Sequence, residues 1–142
     1  MLSTRLRQIV DAPPLTAGLR VIEIGCGPGA AAIEVAHRIG ASGRVLAVDR
    51  SAAAIAQLSR SGADLISSGR LRLCTVAVED LELPADEPPY DLAFAVRVGA
   101  LDGRHPDLEA RAIGRIRSAL TPGGRLFIDG GDPLREIDLG SR

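Results

Sequence analysis

The stretch from Leu19 to Gly29, LRVIEIGCGPG, constrains the fold more than any other part of the sequence. An apolar run with a single acid, Glu23, leads into three alternate glycines, and a short apolar run that ends at glycine is typical of a buried parallel strand. The next residues, AAAIEVAHRI, indicate a helix, so the glycines form a strand-to-helix turn. Such a turn lets a ligand approach the backbone, and the start of the helix offers free N–H groups to an anion.

The rest of the chain alternates between predicted strands and predicted helices. Strands are expected at 20–24, 44–48, 71–76, 91–96 and 125–128, and helices at 4–10, 28–39, 51–68 and 107–120. This alternation predicts right-handed βαβ units and therefore an α/β, Rossmann-like, doubly wound parallel sheet in the strand order 3-2-1-4-5. A ligand then lies outside the carboxyl ends of strands one and four, where the order reverses.

Length and composition narrow the class of protein. A chain of 142 residues predicts one domain, divided into a short N-terminal helix or lid at 1–16 and a main domain at 17–142. Near-neutral charge, 17 basic against 18 acidic residues, and 2% aromatics argue against a nucleic-acid or membrane partner. Two cysteines are too few for a disulfide scaffold or a metal cluster, so we expect no metal and a cytoplasmic protein.

Asp49 comes at the end of the second predicted strand, 20 residues after Gly29. In a doubly wound fold an acid at this place reaches the ribose hydroxyls of an adenosine group. The same acid suits NAD, and Gly25, Gly27 and Ala30 also fit the G-x-G-x-x-A fingerprint of dinucleotide-binding domains. These residues alone therefore leave the cofactor open.

Five motifs in order resemble those of class I methyltransferases that use S-adenosylmethionine. They are the acid-x-G-x-G-x-G turn, VLAVDRS, AVEDLELP, PYDLAFAV and LTPGGRLFI, so that the resemblance runs from about Leu19 to Asp129. The resemblance implies that 17–142 binds S-adenosylmethionine, with S-adenosylhomocysteine as product. It also implies in-line transfer of the sulfonium methyl group, here to an unidentified and small-molecule acceptor.

The resemblance further implies which residues contact the cofactor. The glycine turn shapes the methionine pocket, Glu23 orders the turn or the cofactor's ammonium, and Asp49 holds the ribose. Glu79 accepts a hydrogen bond from the adenine amino group, with Asp80 as the alternative. The expected cofactor-binding residues are Glu23, Gly25, Cys26, Gly27, Gly29, Asp49, Arg50, Glu79, Asp80 and Arg97.

His105 and Asp102 lie just past the fourth strand, on the side where the acceptor is expected. Histidine is the side chain that accepts a proton near neutral pH, so we expect these two residues to be catalytic. The alternative is that His105 and Pro106 are an ordinary helix entry.

The sequence departs from the family after the fifth strand, where only the tail GDPLREIDLGSR follows. We expect the usual C-terminal antiparallel strand pair to be missing and the edge at 126–128 to be unpaired. Exposed apolar edges are usually covered, which predicts a homodimer or a partner chain there. The chain is then a minimal enzyme, an enzyme completed by a partner, or a catalytically silent cofactor-binding module or subunit. An NAD-binding dehydrogenase-like domain is the remaining alternative.

Overall fold

The computed structural model describes residues 2–140, so the first residue of the predicted lid and the last two of the predicted domain lie outside the description. Short 3₁₀ turns lie at Val78–Asp80 and Pro106–Leu108. The elements in chain order are α1 (Thr4–Asp11), β1 (Arg20–Ile24), α2 (Ala30–Ile39), β2 (Arg44–Asp49), α3 (Ala52–Ser61), α4 (Ala63–Ser67), β3 (Leu71–Thr75), β4 (Tyr90–Ala95), α5 (Glu109–Ala119), β5 (Leu120–Asp129) and β6 (Leu134–Ile137).

The described residues form a six-stranded sheet in the order β3-β2-β1-β4-β5-β6. Strands β1 to β5 are parallel to one another, which confirms the predicted order 3-2-1-4-5 and the doubly wound, Rossmann-like class. From β1 the chain builds the sheet outward through β2 and β3, and it then returns to add β4 and β5 on the other side of β1. The strand order therefore reverses between β1 and β4. Their carboxyl ends therefore border the crevice in which ligands of such sheets bind.

The expectation of a sheet that stops at strand five is wrong. β6 pairs antiparallel with β5, from Leu126 opposite Ile137 to Asp129 opposite Leu134. The chain reverses tightly before β6, since a Cβ on Gly131 would meet the carbonyl oxygen of Leu134 at 2.2 Å. The tail thus covers the edge that was expected to be free. A homodimer stays a prediction, but it can no longer be argued from an unpaired β5 edge.

The predicted continuous helix at 51–68 is also wrong, because the chain breaks at Gly62 between α3 and α4. A Cβ on Gly62 would lie 2.8 Å from the side chain of Leu71 and 3.1 Å from the carbonyl oxygen of Leu58. A side chain would therefore not fit at this position, close to the start of β3. The expected N-cap is present, since the Ser51 hydroxyl accepts a 3.2 Å hydrogen bond from the N–H of Ala54.

Both faces of the sheet are covered. On one face α1, α2 and α3 pack against the apolar side chains of the central strands, with Ile9 and Val10 of α1 fully buried. On the other face α5 and the loop between β3 and β4 form the cover, with Ile116 and Leu81 buried. The parallel strands read as continuous apolar runs because both of their faces are buried.

One carboxylate, that of Glu87, ties the β3–β4 loop to the starts of three strands. Its side chain is only 4% exposed and lies 3.2 Å from Arg20, 3.5 Å from Arg44 and 2.9 Å from Arg72. The hydroxyl of the buried Tyr90 donates a hydrogen bond to the same carboxylate. Burial would raise the pKa of Glu87, but Tyr90 and the three guanidinium groups outweigh it and lower that pKa.

We expect Glu87→Gln to lower the free energy of unfolding by about 2 kcal/mol at neutral pH, because three partly exposed arginines lose their shared counter-charge. A lowered folded-state pKa contributes stability above the ordinary value of 4.5, and this contribution is lost as pH falls below it. The difference between wild type and variant should therefore close in acid. Urea unfolding across pH checks this.

The matched control is Glu82→Gln, whose carboxylate is 80% exposed and 3.8 Å from Arg115. That variant should change stability little at any pH. A Glu87→Gln penalty that stays constant into acid would contradict the ionic explanation.

Candidate functional site

The predicted glycine turn joins β1 to α2 at the carboxyl edge of the sheet. Gly25, Gly27 and Gly29 all have left-handed backbone conformations, with φ of 74°, 54° and 94°. The N–H groups of Gly25 and Cys26 donate to the carbonyl of Val48 at 2.7 and 3.1 Å, which holds the turn against the end of β2. Gly29, the N-cap residue of α2, makes no side-chain cap bond, and in the first turn the N–H of Ala32 faces Glu23. The start of that helix is therefore open to an anion.

Asp49 fixes this turn to the next one. One carboxylate oxygen accepts a 2.8 Å hydrogen bond from the N–H of Gly27, and the other accepts a 2.8 Å bond from the N–H of Ser51. Each carboxylate oxygen can accept more than one bond, so the same group can also receive ligand hydroxyls. Asp49 is thus both an anchor of the turn and a candidate binding group.

A cavity of about 430 Å³ opens beyond the carboxyl ends of β2, β3 and β4. It combines predicted residues from four separate segments, namely Gly25, Asp49, Arg50, Glu79, Arg97 and His105. The sequence analysis missed its remaining polar side chain, Arg104, and the apolar walls formed by Val76, Val78 and Leu108. Arg104 lies in the loop between β4 and α5, outside the five sequence motifs.

A second cavity of about 400 Å³ lies between the glycine turn and α1. The predicted residues Glu23, Gly25, Cys26 and Arg97 line it. Its wall is completed by Ser3, the N-cap residue of α1, and by Arg5, Leu6 and Ile9 of that helix, and sequence reasoning placed none of them in a site. The two cavities share Gly25, Val96 and Arg97, so they adjoin at the ends of β1 and β4.

Glu23 is a buried acid in the wall of the second cavity. It is 7% exposed, and its Oε1 has no hydrogen-bond partner among the described residues. Desolvation, and then the charge of Asp49, raise the pKa of Glu23 to about 8, while the N–H of Ala32 partly offsets them. Burial and the charges of Glu23 and Asp49 raise the pKa of the neighbouring Cys26 thiol to about 12. This end of the site therefore favours a ligand that brings a donor or a positive charge.

Three residues predicted to contact the cofactor line neither of the two cavities. Gly27 is held by Asp49, and a Cβ on Gly29 would meet the buried Leu58 side chain at 2.2 Å. Asp80 forms a 2.6 Å ion pair with Arg111 of α5 and lines neither of the two cavities described above. Of the two acids left open after the third strand, Glu79 is the one at the first cavity.

The β4–α5 loop does not bring Asp102 and His105 together as a hydrogen-bonded pair. Asp102 instead binds Arg104, whose Nε lies 3.0 and 2.9 Å from its two carboxylate oxygens, and this pairing lowers the pKa of Asp102. The ring of His105 packs on Gly99, where a Cβ would lie 2.6 Å from its Cδ2. His105 lines the first cavity, whereas Asp102 lies outside its wall.

Arg97 stands where the two cavities adjoin. Within residues 2–140 it is the one non-glycine residue with a positive φ, 58°. Its carbonyl oxygen accepts a 2.7 Å bond from Nη2 of Arg104, which holds it in place. Residues in this uncommon conformation cluster at functional sites.

Two negative findings hold for the described part of the chain. No group of three or more His, Cys, Asp or Glu side chains is placed to hold a metal ion. No helix in it combines the length and the apolar character needed to cross a membrane. Cys26 and Cys74 are both free thiols.

Comparison with known proteins gives matches to methyltransferases. A family model described as "Methyltransferase domain" matches residues 21–124. The chain is 34% identical over 125 residues to the trans-aconitate 2-methyltransferase of Methylobacterium nodulans, covering 87% of this chain and 42% of the relative. It is 30% identical over 139 residues to the ribosomal RNA large subunit methyltransferase E of Sorangium cellulosum, covering 87% of this chain and 62% of the relative.

A solved structure supports the same fold. The crystal structure of a SAM-dependent methyltransferase from Aquifex aeolicus superimposes with a TM-score of 0.69 at 15% identity, covering 87% of this chain and 62% of that one. This likeness concerns the fold alone. The chain thus spans between about four and six tenths of the length of the proteins compared here.

Two glycines of the turn should respond differently to the same substitution. Gly29→Ala should lower the free energy of unfolding by about 3 kcal/mol or more, because it adds a clash with Leu58 to a left-handed backbone. Gly27→Ala meets nothing within 4 Å and should cost only about 1–2 kcal/mol. Denaturant unfolding of both variants checks this, and equal losses would contradict the packing argument.

Removing the buried acid should stabilise the ligand-free protein. A carboxyl whose folded-state pKa is raised from 4.5 to about 8 loses stability as pH rises through this window. Glu23→Gln should therefore gain a few kcal/mol over wild type at pH values near 8 and almost nothing near pH 4. Unfolding free energies measured across this range give the result. A gap that does not depend on pH would reject the ionisation argument.

Proposed function

Because the chain belongs to the family of methyltransferase domains, we propose that it binds S-adenosylmethionine in the two adjoining cavities and transfers its methyl group to an acceptor. The observation that carries this proposal is the buried Glu23 with its unpartnered oxygen, beside the uncapped start of α2. This pairing of an acid with a helix N-terminus suits a ligand that has both an ammonium and a carboxylate group.

The residues present fit this cofactor from end to end. In the second cavity Glu23 would accept from the ammonium group, while the start of α2 and Arg5 would face the carboxylate. In the first cavity Asp49 would accept hydrogen bonds from the ribose hydroxyls, and Glu79 would accept one from the adenine amino group. S-adenosylhomocysteine, the product, has the same groups at both ends.

When bound, the cofactor supplies a methyl group that is already activated on a sulfonium centre. The main task of the protein is then to align the acceptor, since correct positioning of the reactants can remove a large part of the activation free energy. Gly25, Val96 and Arg97, at the junction of the cavities, would border the reacting atoms. His105 would face the acceptor and take a proton where one must leave, whereas Asp102 would act through Arg104.

We propose a small molecule as the acceptor. One relative is named for trans-aconitate and another for ribosomal RNA, so the names alone do not decide. A net charge of -1 and 2% aromatic residues favour the small molecule, because nucleic-acid sites need basic surface and stacking rings. A cytoplasmic location and a homodimer or partner chain accompany this proposal.

The proposal is tested by the ligand that stabilises the fold. S-adenosylhomocysteine should raise the melting temperature, since a ligand at a hundredfold excess over its Kd adds about 2.7 kcal/mol. NAD should leave the melting temperature unchanged. A shift with NAD alone would make the chain an NAD-binding domain, and binding of S-adenosylhomocysteine without methyl transfer to any acceptor would make it a silent module.

In the same assay Asp49→Ala should weaken S-adenosylhomocysteine binding by tens- to a hundredfold, because a charged acceptor to hydroxyl groups is lost. Asp64→Ala, an exposed acid of α4, is the control and should bind like wild type. A folded Asp49→Ala variant with unchanged affinity in calorimetry would reject the ribose role.

A further inference from the structure

The charges along the first cavity are not evenly distributed. The acids Asp49 and Glu79, together with one base, Arg50, lie at the ends of β2 and β3, at the side proposed for ribose and adenine. The wall beyond β4 carries Arg97, Arg104 and His105 and no acid among its described lining residues. The part of the cavity left for an acceptor is therefore its cationic end.

Arg104 is oriented before any ligand arrives. Its Nε donates to both carboxylate oxygens of Asp102 at 3.0 and 2.9 Å, and its Nη2 donates to the carbonyl of Arg97 at 2.7 Å. Among the described residues no hydrogen bond uses Nη1. A guanidinium that is held on one side and free on the other can bind a carboxylate at little entropic cost.

Arg97 adds the charge that is not neutralised. Its guanidinium has no ion pair or hydrogen bond within residues 2–140, whereas Arg104 shares its charge with Asp102. The left-handed backbone of Arg97 is held by Arg104, so the two side chains belong to one folded loop. Asp102 pairs with Arg104 and the charge of Asp129 also acts on it, so Arg97 is the guanidinium beside the place of methyl transfer that no acid pairs with among the described residues.

We propose that the acceptor is an organic carboxylate, bound through the guanidinium groups of Arg104 and Arg97. This rests on the proposed function, because the cationic wall faces an acceptor only if the adenosine group occupies the acidic side.

Carboxylate chemistry agrees with the loop. A carboxylic acid is already ionised near neutral pH, so it needs no base before it reacts. One carboxylate oxygen forms the new O–CH₃ bond, and the S–CH₃ bond breaks with its electron pair left on sulfur. No proton leaves, and the product is a methyl ester. His105, which no carboxylate orients by a hydrogen bond, then has no proton to take.

The test is calorimetry on the full chain saturated with S-adenosylhomocysteine, at constant ionic strength. The probes are butyrate, succinate, tricarballylate and benzoate, with succinamide and benzamide as neutral counterparts and sulfate as an inorganic anion. At least one carboxylate should bind while its neutral counterpart and sulfate do not. If no carboxylate binds, or if sulfate binds equally well, the proposal is overturned.

The variants Arg104→Gln and Arg97→Gln should each weaken carboxylate binding by at least about tenfold, the loss expected for one charge-assisted hydrogen bond. Arg104→Gln should bind S-adenosylhomocysteine within about threefold of wild type, because Arg104 lines the first cavity only and pairs with Asp102. Arg117→Gln, an exposed arginine of α5, is the matched control and should change neither affinity.

Two outcomes separate this proposal from the one on which it rests. If wild type does not bind S-adenosylhomocysteine, the proposed function fails. If it does and the Arg97→Gln variant loses S-adenosylhomocysteine rather than carboxylate, Arg97 belongs to the cofactor and its assignment here is overturned.

Discussion

The site depends on one interaction, the pair of hydrogen bonds by which the Asp49 carboxylate holds Gly27 and Ser51. It joins the turn after β1 to the turn after β2, so the two loops that carry candidate binding groups are held to each other. Binding surfaces on loops are precise only when a rigid scaffold positions them. Here β1 and β2 are the scaffold, and the side chain of Asp49 links the two turns that follow them.

Much of the fold could be predicted from the sequence, because its signals are local. Apolar runs that end at glycine or acid predicted β1 and β2, and with them the family and the parallel order. The break at Gly62 could not be predicted, since the helical spacing of apolar residues continues through it and the close contact with Leu71 comes from another element. β6 was missed for a similar reason. LREI is short, and only its pairing with β5 makes it a strand.

The same distinction applies to the residues of the candidate site: those within sequence motifs could be predicted, and those outside the motifs could not. Residues within motifs, such as Glu23, Asp49 and Glu79, were found because their distance along the chain from a glycine turn or strand end is informative. Arg5 and Arg104 were not found, because a helix elsewhere in the chain and a loop without a motif bring them to the cavities. Asp102 and His105 were both expected to be catalytic, but only His105 lines the first cavity, because Arg104 binds the carboxylate of Asp102.

The cluster around Glu87 has a consequence for the order in which the molecule folds. Its carboxylate reaches Arg20 across 67 positions in sequence, and it contacts the first residues of β1 and β2 at the same time. Contacts that close such long loops form slowly, and they need the strands to be paired already. The cluster is therefore expected to form after the transition state for folding. Interactions that form after the transition state leave the folding rate unchanged and determine the unfolding rate of the native protein.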